Sequence, residues 1–460
     1  MKISEKKSYS IDMTCGPIAK KLIVFSVPLA LTVFLQFLYN SADLAVVGKF
    51  AEHPDTSLAA VGVTAPVTGL LVNLFLGLSL GANIVVAQLI GAGDENAVSR
   101  AVHTSVIMSL IFGIAGGLAG VLLSEKILSL INCEGKLFRL ADQYIKIIFA
   151  GLPFTLVYNF GTAILRACGD TKKPFIILTV SGLINVALNL FFVIVFKTDV
   201  AGVALATIIS QAFSAVAVMV VLAMRNDACK FSFKNFKIDF RQFKQILFIG
   251  IPSGLQSTTF SVTNILVNAY IVELGETMEA GFTLHTTVSN YISSVTSALS
   301  QATIAFVAQN YGARNYKFIG KIEKTAMFLC LGITAAVSAS FILLRYPVFR
   351  IFTSSDATIS VANTGFLICV PFYFVWGFSE ISIGAAKGLN SKTVPMIISV
   401  LGVCGFRLIY LLFVFPINRS YTLLMAVYPA SWFLTGVMQF IWYKLLYKKT
   451  LKYAAAQIDI

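Results

Sequence analysis

LIVFSVPLALTVFLQFLYNSA, residues 22–42, carries no charged side chain, and the next residue is Asp43. An α-helix rising about 1.5 Å per residue crosses bilayer hydrocarbon in about 20 residues. The stretch is therefore long enough to span. Asp43 then falls inside the hydrocarbon or at its edge, a position that costs an unpaired charge about 3 kcal/mol.

The rest of the chain repeats this pattern. Of 460 residues, 57% are hydrophobic and only 12% charged, with a mean hydropathy of +0.83; soluble domains carry about a quarter charged residues. Charges punctuate the sequence into apolar stretches at 22–42, 56–93, 101–124, 147–165, 174–196, 200–224, 245–272, 280–313, 325–344, 357–379, 393–416 (broken by Arg407) and 421–443. Each passes the length of about 18 residues for a membrane span, and none alternates as barrel strands do. The expected fold is an all-α integral membrane protein with twelve transmembrane helices. Lys20 and Lys21 before the first run superficially resemble a secretory signal. The run is too long and no small-residue cleavage pattern follows, so a retained first helix is expected.

The net charge of +14 does not point to nucleic acid. With both termini in the cytoplasm, Lys and Arg gather on the cytoplasmic side, at Lys20–Lys21, Lys172–Lys173, 225–244, 314–324 and 444–452, whereas the connection with Glu273, Glu276 and Glu279 is external. That asymmetry is the positive-inside rule, and anionic lipid headgroups are the expected partners of the basic surface. The seven cysteines are scattered with no CxxC pair, so neither a metal site nor a disulfide is expected from spacing.

One half of the chain aligns on the other. SVPLALTVFLQFLYN from Ser26 aligns with GIPSGLQSTTFSVTN from Gly250, bringing Pro28 onto Pro252 and Asn40 onto Asn264. AQLIGAG from Ala87 meets AQNYGAR from Ala308, and the segment from Leu152 to Pro174 meets that from Val370 to Pro395. The order is kept at an offset near 220 residues. Six spans per half is an even number, so both halves share one orientation, as in parallel repeats that alternate access to a central cleft. The expected organisation is a segment 1–20, a first lobe 21–225, a linker 226–244, a second lobe 245–446 and a tail 447–460. Pro28, Pro66, Pro153, Pro252 and Pro371 are candidate bending sites, and Gly77 with Gly81 forms a GxxxG suited to close helix packing.

These motifs carry a family resemblance. NSADLAVVGKF, LAAVG, AQLIGAG, LRACGDTKKP and GVALATIISQ, in this order across twelve spans, resemble the multidrug and toxic compound extrusion (MATE) family over essentially the whole chain. The resemblance implies two pseudo-symmetric six-helix bundles that export bulky, often cationic and aromatic compounds in exchange for sodium ions or protons. It implies that Asp43 takes the coupling cation, with Asn185, Asn189 and Thr207 as partners. Many relatives hold a second carboxylate where Asn189 stands. A hard cation prefers several oxygen ligands and compensating negative charge, so one acid favours a proton over sodium. Arg407 resembles a basic residue common in helix 11 of relatives.

The residues themselves point the same way. A carboxyl group in a low-dielectric cleft favours its neutral form, which lets Asp43 take a proton on one side and release it on the other; the bland reading is a loop-pinning acid near the surface. Asn185 and Asn189 lie one turn apart on one helix face. Glu380 and Arg407, the other ionisable residues inside spans, are expected to pair, with substrate recognition by Glu380 as the sharper alternative. Gln36, Tyr39, Asn40, Tyr158, Gln256, Asn264, Asn268, Tyr291, Trp376 and Glu380, with Phe154 and Phe372, are candidates for a substrate cavity in which aromatic faces attract organic cations. His53, His103 and His285 are dispersed, with His285 expected as a packed neutral ring.

No GxxxxGK[ST] loop occurs and the polar segments are too short for an ATPase domain, so a gradient or a separate subunit must supply energy. A flippase for lipid-linked saccharides or lipids shares the architecture, but its cleft should be rich in basic residues to meet phosphate, and Arg407 is alone. A membrane-embedded transferase needs acid, base and metal-binding groups at one interface, and none gather. The expectation is a cofactor-free, monomeric, non-enzymatic antiporter of the plasma membrane with small organic substrates.

Overall fold

A computed structural model describes residues 11–51, 53–130 and 133–456. Residues 1–10 of the expected leading segment and 457–460 of the expected tail lie outside the described residues. Every regular element among the described residues is helical. Buried in hydrocarbon, a backbone must satisfy its own N–H and C=O groups, and the helix does so within one segment.

Helices α1 (Ile18–Phe50), α2 (Pro54–Ala92) and α3 (Glu95–Leu130) are followed by α4 (Gly135–Ala150), α5 (Leu152–Ala167), α6 (Lys172–Leu190) and α7 (Asp199–Ala223). After the linker come α8 (Phe240–Val272), α9 (Glu276–Gly312), α10 (Tyr316–Leu343), the short α11 (Arg345–Phe352), α12 (Asp356–Cys369) and α13 (Tyr373–Gly388). The chain ends in α14 (Val394–Ser399), α15 (Phe406–Ile409) and α16 (Tyr421–Ala456). Among the described residues ten helical runs are long and apolar enough to cross a membrane, and α4 with α5, bent by 45°, makes an eleventh. The remaining expected span is α8, which is 33 residues long but not among those ten. Its hydroxyl and amide side chains lower its hydropathy, yet several fold back on their own helix: Ser257, Thr259, Ser261 and Thr263 each donate to the carbonyl four residues earlier.

Two of the five prolines mark breaks. Pro153 opens α5 just past the bend at Gly151, and Pro371 lies in the 3-10 turn between α12 and α13. Proline lacks an N–H and tolerates a first turn. Pro28, Pro66 and Pro252 lie inside continuous helices, as does Pro429, which the sequence reading did not single out. The fifth span of each half departs from α geometry. A π-helical segment, Phe191–Val195, continues α6, and Val400–Gly405 and Tyr410–Val414 flank α15.

The chain forms two compact units. Unit 1 runs to Thr68 and adds Ser79–Leu247 and Ala308–Asn315; unit 2 holds Gly69–Leu78, Phe248–Val307 and Tyr316–Ile460. In unit 1 the residues ahead of α1 lie across a helix turn. Ile11 N–H donates to Gly169 O (3.1 Å), while Asn310 Nδ2 and Asn315 Nδ2 donate to the Met13 and Thr14 carbonyls. The unit also contains a disulfide, Cys168–Cys229, which corrects the expectation of none. The partners are 61 residues apart in sequence, so no local spacing could have revealed them. Beside it, burial alone would push the Asp227 carboxyl up, but the Arg225 guanidinium and the Cys229 N–H outweigh burial and hold it below the usual carboxylate range.

In unit 2, Phe282, Phe349, Phe366, Tyr373, Phe415 and Tyr421 build the core. Gly77 serves the packing role its motif suggests, since a Cβ there would overlap the Gly254 backbone of α8.

Two measurements check this fold. Thiol counting on denatured, unreduced protein should find five reactive cysteines, and seven only after reduction; seven before reduction would refute the Cys168–Cys229 pairing. In unit 1 a Cβ on Gly182 of α6 would overlap the Tyr39 ring of α1. Gly182→Val should therefore destabilise the purified protein by about 1–3 kcal/mol, seen as a lowered melting midpoint; an unchanged midpoint contradicts that contact.

Candidate functional site

Unit 1 brings together all four residues expected to take the coupling cation. Packing of Tyr39 against Gly182 lets α1 and α6 approach closely, and the Tyr39 hydroxyl donates to Thr179 O at 3.2 Å. One turn further on α1 is Asp43; two turns further on α6 is Asn189. Asn189 Nδ2 donates to Asp43 Oδ1 at 2.5 Å and also to Asn185 Oδ1 at 3.3 Å. Asn185 Nδ2 donates to Thr207 Oγ1 of α7 at 3.4 Å, and Thr207 Oγ1 donates to Val203 O at 2.9 Å. The result is one continuous chain from carboxylate to backbone, with donation running outward from Asn189 Nδ2 in both directions. Asn189 is fully buried, and its Oδ1 has no hydrogen-bond partner among the described residues.

Asp43 is part-buried, and its carboxylate oxygen is tied to a neighbouring span through Asn189. Tyr144 of α4 stands within electrostatic range of Asp43 and was missed, because a lone tyrosine beside a charged stretch gives no pattern to read.

Unit 2 encloses a cavity of about 470 Å³. Of the expected residues, Asn264, Trp376, Glu380 and Arg407 line it. The expected Glu380–Arg407 ion pair is absent: among the described residues neither side chain has an oppositely charged partner within 4.0 Å. Arg407 is instead held by neutral groups. Nε donates to Ser431 Oγ at 3.1 Å, Nη1 donates to Asn264 Oδ1 at 2.9 Å, and the guanidinium lies 4.3 Å from the Tyr428 ring centre. Glu380 projects from α13 one turn after Trp376, and the Ser300 hydroxyl donates to its backbone carbonyl.

Several expected cavity residues are placed otherwise. Gln256 is buried and donates to Ser399 Oγ at 2.8 Å, a hydroxyl that Gln439 also reaches, so it ties α8 to α14 and α16 instead of lining the cavity. On α9 the wall is built by Thr286, Ser289, Asn290 and Ser293, one helical face that leaves Tyr291 aside; Asn268 lies a turn beyond Asn264 and outside the wall. In unit 1, Gln36 and Asn40 are exposed and Tyr158 is buried. Phe154 and Phe372 are exposed on their respective units. His285 does line the unit 2 cavity, packed edge-on to Phe366. Tyr428 and Trp432, also missed, belong to the same wall; their spacing of four on α16, around Pro429, was the available signal.

Comparison with known proteins agrees with this layout. The family profile described as MatE matches residues 28–191 and again 252–412, starting at the two aligned prolines Pro28 and Pro252. The chain is 23% identical over 439 residues to the probable multidrug resistance protein YoeA of Bacillus subtilis, with 94% of each chain covered. It is 26% identical to the probable multidrug resistance protein NorM of Thermotoga maritima, covering 89% of this chain and 88% of that one. A crystal structure of MATE in complex with MaL6 superposes with a TM-score of 0.90 at 22% identity, covering 97% of this chain and all of the other. Profile matches in both halves and a shared fold over nearly the full length lead to one conclusion: the chain belongs to the multidrug and toxic compound extrusion family, MatE.

Proposed function

We propose that this chain is a secondary active exporter of organic compounds, driven by protons that enter through Asp43, with sodium as the alternative coupling ion. Its place is the plasma membrane, with both termini in the cytoplasm, and it works as a monomer without a cofactor. The observation that carries the reading is the chain Asp43–Asn189–Asn185–Thr207, in which the buried Asn189 Oδ1 has no partner among the described residues.

An ionised carboxylate only accepts hydrogen bonds; a protonated one also donates. With Asp43 ionised, Asn189 Nδ2 points at it, as found. Once Asp43 gains a proton, its O–H needs an acceptor, and a half-turn of the Asn189 amide supplies Oδ1. An unsatisfied buried acceptor costs about 1–3 kcal/mol, so the turn is favoured only in the protonated state. The two states then differ in the atoms that tie α1 to α6. A ligand can shift a conformational equilibrium only through such a difference.

Sodium would have to use Asp43, the amide oxygens of Asn185 and Asn189, and Thr207 Oγ1. A single carboxylate compensates dehydration of a hard cation poorly. A proton needs nothing more than that carboxylate. For cargo, Trp376 beside Glu380 in unit 2 supports aromatic and cationic compounds, since a ring face and an acid on one cavity wall attract the same ligand.

Proteoliposomes with an imposed pH or sodium gradient and a fluorescent organic cation test the proposal. Asp43→Asn should abolish gradient-driven exchange; full activity in that variant sinks the coupling role. Asn189→Leu should slow proton-driven exchange about tenfold or more, the scale of one charge-assisted hydrogen bond, with the protein still folded. Asn189→Asp adds the second carboxylate and is expected to make transport respond to sodium. A variant indifferent to sodium would show that the number of carboxylates does not set ion choice.

A further inference from the structure

Unit 2 buries a cation that the exchange chemistry at Asp43 does not use. Arg407 is only 4% exposed and lies in the short α15, which π-helical segments flank on both sides. A buried charge normally requires a counter-charge, because its desolvation is costly. Here its partners among the described residues are an amide oxygen, a hydroxyl and an aromatic ring, all neutral. A guanidinium has five N–H donors, and these contacts occupy two. The same side chain lines the cavity of about 470 Å³, a size suited to a small aromatic molecule.

The remaining walls define what such a molecule must be. Tyr373, Trp376, Tyr428 and Trp432 form a run of ring contacts, with centroid separations of 5.9 Å for Tyr373–Trp376, 5.2 Å for Tyr373–Trp432 and 6.1 Å for Tyr428–Trp432. Such a wall holds a flat ring system. Glu380 lines the same cavity, with Lys387 two turns on along α13 within electrostatic range but no ion pair closer than 4.0 Å among the described residues, so its carboxylate is open to a hydrogen-bond donor at another part of the ligand. π turns concentrate at functional positions in helices.

We propose that the unit 2 cavity contains an anion subsite centred on Arg407, and that it binds aromatic carboxylates, the carboxylate pairing with the guanidinium while the rings lie against the tyrosines and tryptophans. Arginine suits this role because its planar fork matches a carboxylate in two parallel bonds. The inference rests on the exporter reading only for why the cavity fills and empties; binding itself needs no gradient. It extends the cargo from organic cations to organic acids that carry a donor for Glu380.

The test uses the purified full chain in detergent and follows quenching of tryptophan fluorescence. The probes are 6-hydroxy-2-naphthoate and its uncharged partner 6-hydroxy-2-naphthamide, which share rings and hydroxyl. Wild type should bind the carboxylate at least about tenfold more tightly than the amide. Arg407→Gln should bring the two within about twofold by weakening the carboxylate alone. Should that variant fail to fold, Asn264→Asp keeps Arg407 and places a carboxylate at its Nη1; it should abolish the preference equally. Equal affinities in wild type, or a preference that survives folded Arg407→Gln or Asn264→Asp, overturns the subsite. Asp43→Asn should keep the preference while losing exchange. A preference found where no gradient moves any cargo would uphold the subsite and overturn the exporter reading instead.

Discussion

A carboxylate placed within membrane-spanning helices must be held by another part of the chain, and the Asn189–Asp43 hydrogen bond meets that requirement. Much of unit 1 around it is arranged to make the contact possible. Gly182 has no side chain because the Tyr39 ring occupies that space. Asn185 is spaced one turn from Asn189 so that one amide supports the other, and Thr207 passes the chain of bonds to the backbone of α7. A leucine at 189 would leave an acid with no donor in a medium that offers none.

Much of this was legible beforehand. Uncharged runs of sufficient length gave the spans, and the coincidence of Pro28 with Pro252 gave the duplication that the family profile also follows. The grouping of Asp43, Asn185, Asn189 and Thr207 was read from the family resemblance and is realised in the geometry. What escaped was whatever depends on three-dimensional proximity without a sequence period. Cys168 and Cys229 meet because the end of α5 lies beside the linker. Arg407 and Glu380 have opposite charges and neighbouring spans, yet amide, hydroxyl and ring take the guanidinium. Gln256 has the composition of a ligand contact and the position of a crosslink, a distinction that rests on Ser399, 143 residues away.

Asp43 in unit 1 and Arg407 in unit 2 meet the problem of a buried charge with opposite signs. Unit 1 holds an acid through amide donors, and unit 2 holds a base through amide and hydroxyl acceptors with a tyrosine face beneath it. Among the described residues neither Asp43 nor Arg407 uses a direct ion pair. A strong internal pair would neutralise both members and leave little field for a mobile ligand to meet. Neutral partners orient the charge and keep its field available, the arrangement expected of a site that must fill and empty repeatedly.

In each half it is the fifth span that leaves the α form, at Phe191–Val195 and at Val400–Gly405 with Tyr410–Val414. A π turn closes its hydrogen bonds over five residues instead of four, so it contains one position more than its flanks require. A helical wheel drawn at uniform steps through this region therefore assigns the wrong face to every residue past Val400. It also means that one residue could be deleted there, the wide turn tightening to an ordinary one, with the faces on either side still in register; the same deletion in α3 or α9 would rotate everything beyond it by about 100°.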